Sequence, residues 1–233
     1  SIQSALQMTL ANNGPAITNS WTANGNFAQG ASGISLRGMT TNSTLVMFDG
    51  MRAAGVGGGV RVLAGAPIIE KGMVEQDFID LAAAGVRLLG EIGLGTVKAG
   101  DEAAQMVAWA RRHGIQSTIH TGGPSIPGSG LIDEHVVLEA DADVIGHVNG
   151  GHTSLSYKSV CTLCEKSSRA LEIVHNGNER IAILTARHAM ELKCPHRVIL
   201  GTDAPAGSGV QPLGMLRLIA LISSMADIPA EIV

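Results

Sequence analysis

The sequence predicts an α/β fold built on a parallel sheet. Two observations carry that reading. From Val60 onward, short Val- and Ile-rich segments alternate with longer amphipathic segments that carry the charges. The short segments are apolar at nearly every position, as in strands covered on both faces, rather than alternating apolar with polar. Strands and helices in that order imply right-handed βαβ units. About six units are legible, whereas a complete (β/α)8 barrel takes eight and roughly 250 residues. An incomplete barrel and an open, doubly wound sheet both satisfy the pattern.

The elements run in order. Val60–Ala64 reads as a strand, then a helix over Val74–Ala84. Val86–Gly90 is a strand and Glu102–His113 a helix; Gln116–His120 is a strand, with a helix over Ile132–Ala140. Val144–Val148 precedes a helix over Tyr157–Ser168, and Ala170–Val174 precedes one over Glu179–Leu192. Arg197–Leu200 is the last strand, and the helix near Pro212–Ser224 closes the series.

Residues 1–59 have another texture. Only Arg37, Asp49 and Arg52 are charged, and Gly, Asn, Ser and Thr dominate, which favours turns and short strands. Gly57-Gly58-Gly59 reads as a flexible junction, so the sequence divides into residues 1–59 and 60–233. Charged residues make up 15% of the 233 and the formal net charge is −4, which lacks the basic surface of a nucleic-acid binder. No run of about 18 apolar residues predicts a membrane helix, and no signal-peptide pattern opens the chain. Three cysteines make no disulfide framework, which fits a reducing compartment, here taken as the cytoplasm.

The chemistry is legible at the ends of the strands. Leu88-Leu89-Gly90 leads into Glu91, Ser117-Thr118-Ile119 into His120, Val144-Ile145-Gly146 into His147, and Leu200-Gly201-Thr202 into Asp203. Parallel α/β folds bind ligands at the carboxyl ends of their strands, so these four side chains are expected to converge. Imidazole with carboxylate suits zinc, iron or a similar divalent ion. Such an ion lowers the pKa of a bound water toward about 7, and a neighbouring carboxylate can take its proton and pass it to a leaving group. A single strand-end histidine is more often a hydrogen-bonded structural residue; two histidines, a glutamate and an aspartate at four equivalent strand ends weigh against that. His152 and His175 also follow strands, and Gly122-Gly123 and Gly150-Gly151 could let a substrate approach the backbone, although ordinary loop polarity and tight turns account for them too. His113, His135, His188 and His196 fall in helices or at their ends and read as surface residues. Cys161 and Cys164 form a C-x-x-C inside a helix with no second pair, which reads as packing.

These residues carry a resemblance. Gly90-Glu91-Ile92-Gly93-Leu94-Gly95-Thr96, His120-Thr121-Gly122-Gly123, Gly146-His147-Val148-Asn149-Gly150-Gly151 and Gly201-Thr202-Asp203-Ala204-Pro205, with Glu172–Gly177 and Pro212–Arg217, resemble the amidohydrolase superfamily, most closely its enamidase branch. The resemblance implies a distorted (β/α)8 TIM barrel holding one or two divalent metals, zinc or iron. It also implies hydrolysis of a cyclic amide or enamide C–N bond, of the tetrahydro-oxonicotinate type met in nicotinate degradation. By resemblance Glu91 bridges the metals, His120 and His147 are ligands, and Asp203 binds metal and shuttles protons. Thr121, Gly122, Gly151, His152 and His175 would then face a small cyclic amide.

The departures matter equally. The family's first barrel strand carries a His-x-His pair, and no His-x-His occurs in this sequence. The expectation is therefore an incomplete barrel whose turnover falls below about 1 s⁻¹, or a catalytically inactive remnant. Its open sheet edges would favour a homo-oligomer. Residues 1–59 resemble instead the plug domain of a TonB-dependent receptor, through Gly33-Ile34-Ser35-Leu36-Arg37-Gly38 and Thr44-Leu45-Val46-Met47-Phe48-Asp49-Gly50-Met51-Arg52. Without the alternating strands of a membrane barrel, no membrane partner is expected, and none is expected among nucleic acids.

Overall fold

The computed structural model describes residues 47–48, 51–52, 65–151, 153–204 and 213–229. The chain divides into two units, Ser1–Arg61 and Val62–Val233. In the first, β1 (Met47–Phe48) pairs antiparallel with β2 (Met51–Arg52), Met47 opposite Arg52 and Phe48 opposite Met51. The remainder of the plug-like segment lies outside the described residues, as do the expected strand Val60–Ala64 and His152.

The second unit runs α1 (Glu75–Ala83), α2 (Gly100–Arg112), β3 (Thr118–Ile119), α3 (Glu134–Ala140), β4 (Val144–Ile145), α4 (Tyr157–Lys166), β5 (Ala170–Val174), α5 (Glu179–Glu191), β6 (Val198–Gly201) and α6 (Gly214–Ala226). The four strands are parallel in the spatial order β3-β4-β5-β6. Isolated parallel bridges Gly65–Leu88, Leu88–Gln116 and Ile92–Ile119 continue the same order by two further positions. Sequential order with a helix after each strand is the winding of a barrel wall. A doubly wound sheet reverses its order partway, so that alternative falls among the described residues.

Helix boundaries follow capping chemistry. Asp133 accepts from the His135 and Val136 amides and starts α3 one residue after itself, which is why Ile132 stays outside the helix. Ser156 and Asn178 cap α4 and α5 in the same way. The strand expected at Val86–Gly90 survives only as bridges at Leu88 and Ile92, because the ladder is interrupted between them.

The core lies between sheet and helices. Ile119, Ile145, Leu171 and Ile173 point from the strands into it and are fully buried, as is Phe78 of α1, whose ring packs 5.6 Å from that of Trp109 on α2. His113 and His188, expected at the surface, are part-buried: His113 meets Glu75, and His188 lies between Glu165 and Glu191. Cys161 and Cys164 sit within α4 as free thiols, and burial pushes the Cys164 thiol up to about 12, which removes it from nucleophilic chemistry.

One polar clamp holds the turn after β4 against β5. The Asn149 side chain accepts from the Val174 amide at 2.8 Å and donates to the Val174 carbonyl at 2.9 Å, completely buried. It substitutes for a neighbouring strand where the ladder has ended. Asn149→Ala leaves both Val174 groups unpaired and is expected to cost about 2–3 kcal/mol. Urea denaturation measures this, and a loss within experimental error of zero would mean that water replaces the clamp.

Candidate metal centre

The strand ends open into a cavity of about 450 Å³ bordered by Glu91, His120, His147, Gly151, Asn176 and Asp203, among others. His120 stands directly after β3 and His147 two residues after β4, so the sheet delivers both imidazoles to one end.

Glu91 arrives there through an irregularity. Leu88 and Ile92 are four residues apart, yet their partners Gln116 and Ile119 are three apart. The additional residue is a bulge at Gly90–Glu91. Leu89 and Ile92 are both buried, at 1% and 0% exposure. In a regular strand, residue 91 would share the core-facing side of Leu89. The bulge moves that parity on by one, Ile92 takes the core position, and Glu91 turns to the cavity. It also interrupts the ladder, which explains the missing regular strand.

Glu91 sits between the two imidazoles. Its Oε1 is 3.1 Å from His147 Nε2 and its Oε2 is 3.7 Å from His120 Nδ1. The rings meet edge to face with centroids 4.6 Å apart. One ligand atom from each of the three lies within 4.8 Å of the others. His120 Nε2–H donates to the Gly123 carbonyl at 3.3 Å, which leaves the lone pair on Nδ1, and that buried atom has no hydrogen-bond partner. A ring oriented from behind, with an unsatisfied nitrogen aimed at a carboxylate, is how proteins present a histidine to a metal. The donor set of two imidazoles and a carboxylate, with an open side, fits a catalytic divalent cation.

Electrostatics agree with the geometry. Burial opposes ionisation of Glu91, but the two neighbouring imidazoles, His120 and His147, outweigh it and hold the carboxyl at about 2. Burial works against a charged His147 as well, and contact with Glu91 carries its pKa above the ordinary value. Asp203, on the far side, behaves in the opposite sense: burial lifts its carboxyl, the His147 imidazole pulls it down, and the Glu91 charge adds to the rise. Its backbone is left-handed, φ 53°, and its carbonyl accepts from the Asn176 amide group at 3.1 Å. Asp203 therefore borders the cavity without joining the close cluster.

The remaining candidates divide. Gly151 borders the cavity. Thr121 is 1% exposed and its hydroxyl donates to the Gly146 and His147 carbonyls, which fixes the turn after β4. Gly122 pairs with Ile132. The His175 amide continues the β5–β6 ladder to Gly201. Two polar residues not singled out from sequence stand at the site. Asn176 faces the cavity. Glu172, in the middle of β5, accepts from the His147 amide at 3.2 Å, and burial lifts its carboxyl despite that bond.

No family model matches the chain. It is 47% identical over 174 residues to enamidase of Eubacterium barkeri, which covers 75% of this chain and 45% of that protein. A crystal structure of enamidase, presented as a new member of the amidohydrolase superfamily, matches with a TM-score of 0.68 at 46% identity, over 72% of this chain and 43% of that one. The chain thus spans under half the length of the relative it matches, and its sheet is part of an amidohydrolase-type barrel.

Proposed function

Because the chain is homologous to enamidase, itself a member of the amidohydrolase superfamily, we propose that it binds one divalent cation and hydrolyses the C–N bond of a small cyclic amide or enamide. The observation that carries this reading is the convergence of Glu91, His120 and His147 at the strand ends. Glu91 Oε1 and Oε2, His120 Nδ1 and His147 Nε2 are the atoms that would hold the cation, zinc or iron. When bound, the cation acidifies a water and polarises the amide carbonyl.

The chain's own residues supply the proton traffic. Asp203 stands across the cavity with its carboxyl lifted by burial, which suits a group that takes a proton from the attacking water and returns it to the departing nitrogen. Gly151 exposes backbone to the ring of the substrate, and a tetrahydro-oxonicotinate-sized molecule fits a cavity of about 450 Å³. Free cysteines and a small polar substrate suit a cytoplasmic setting, and no helix among the described residues is long and apolar enough to cross a membrane.

The test is zinc-dependent opening of a six-membered cyclic enamide, read as the ammonia set free when the resulting enamine tautomerises to an imine and a second water hydrolyses it to the aldehyde, compared with the chelated protein. Turnover is expected to be slow, below about 1 s⁻¹. Asp203→Asn is expected to lower it by about a hundredfold while zinc stays bound. Release that is indifferent to zinc, or no release above the uncatalysed background, would reject the hydrolase reading.

A further inference from the structure

We propose that Glu172 is the positioning residue that holds His147 in its ligating conformation, an assignment that rests on reading Glu91, His120 and His147 as the metal ligands. β5 alternates strictly around it. Leu171 and Ile173 are completely buried on the helix side, so Glu172 projects to the opposite face, beneath the cavity. There it engages two successive amides of the turn after β4. Its carboxylate Oε2 accepts from the His147 amide at 3.2 Å, and its own carbonyl accepts from the Val148 amide at 2.9 Å.

The turn needs that support. His147 has φ 29°, a left-handed backbone that a non-glycine residue keeps only where its surroundings impose it. The regular ladder between β4 and β5 has ended at Ile145–Leu171, so the carboxylate takes over the place of a backbone acceptor. Room for it comes from β6: a Cβ at Gly201 would overlap Glu172 Oε1. On the other side of the ring, a Cβ at Gly150 would come within 2.7 Å of His147 Nδ1. His147 is therefore braced from below through its amide and given space above. Without the acceptor the amide is left unpaired, the turn is free to relax toward ordinary φ, and Nε2 leaves Glu91.

The experiment compares Glu172→Ala with Glu172→Gln, which keeps an acceptor oxygen at the same reach. Two quantities are read: hydrogen exchange of the His147 amide in the metal-free chain, by NMR, and zinc affinity by competition with a chelator. Glu172→Ala is expected to accelerate that exchange by about tenfold or more, the loss of one buried hydrogen bond. It is expected to weaken zinc by roughly 10–100-fold, the usual effect of removing an outer-shell partner. Glu172→Gln is expected to restore both to near the wild-type values. Should the alanine variant not fold, Glu172→Met fills the space without an acceptor and replaces it. Unchanged exchange at His147, or glutamine as damaging as alanine, would overturn the assignment. Faster exchange in Glu172→Ala, together with a wild-type chain that binds no zinc, would instead leave the brace standing and remove the ligand reading.

Discussion

His147→Ala is expected to reduce zinc affinity by about two to three orders of magnitude while the helices and sheet stay folded. Structural zinc sites with four ligands hold roughly 10–16 kcal/mol between them, so one imidazole accounts for about a quarter of that. The substitution also removes the group closest to Glu91, at 3.1 Å. Affinity in the wild-type chain should fall with falling pH, because a protonated imidazole cannot ligate. His147 has its pKa raised by Glu91, so the fall begins above the ordinary imidazole value of about 6.5. In the metal-free chain the same pair contributes stability over a defined window. Glu91, held at about 2, contributes above the unfolded carboxylate pKa of about 4.3 and loses that as pH drops toward 2. His147 contributes below about 6.5 and loses that as pH rises through its raised value. Metal and proton therefore compete for one position. Isothermal titration with zinc at several pH values measures the competition; an affinity independent of pH, or one unaffected by His147→Ala, would show that the imidazole is not a ligand.

Phe78→Ala carries the largest expected cost to the fold. The ring is completely buried and packs on Trp109 at 5.6 Å, joining α1 to α2 beside the segment that delivers Glu91. Truncating a buried phenylalanine costs about 3–5 kcal/mol in lost transfer energy and residual cavity. Against a typical domain stability of about 5–15 kcal/mol, that is enough to leave a substantial unfolded population on warming. Thermal unfolding followed by circular dichroism reads it directly. A shift of only a degree or two would mean that the α1–α2 layer closes over the gap and is not cooperative with the sheet.

What sequence reasoning can reach divides by kind of signal. His120 and His147 stand where apolar strands end in a polar ligand type, and Asp203 and Glu91 fit the same rule; the structure brings all four to one cavity. The rule says nothing of which strand-end residues point inward, so by it Thr121 and Gly122 are as eligible as Gly151, and only their hydrogen bonds separate them. Glu172 lies inside a strand, where the strand-end rule does not look. A signal is present nonetheless: a charge between Leu171 and Ile173 in an otherwise apolar run is expensive to bury unless it is bonded. Asn149 reads only as part of a glycine-rich motif, since nothing local distinguishes a side chain that replaces a strand from one that faces water. Helix ends differ by a residue or two from the apolar pattern near their caps, as at Asp133, because the cap's hydrogen bonds rather than the periodicity set the first turn.

The bulge at Gly90–Glu91 gives this chain a counting constraint. Substitutions near Glu91 alter size or charge and leave the count alone, whereas adding or removing a single residue between Leu88 and Ile92 changes the four-against-three match with Gln116–Ile119 that makes the bulge. Deleting Gly90 would leave three residues against three and a regular strand, in which Glu91 still faces away from Leu89 but the chain loses the bend and added twist of the bulge at the point where the carboxylate meets the imidazoles. The segment should accordingly accept many spellings and only one length. A library that varies composition and length independently over residues 88–92 would separate the two, with folded, zinc-binding clones confined to the native length.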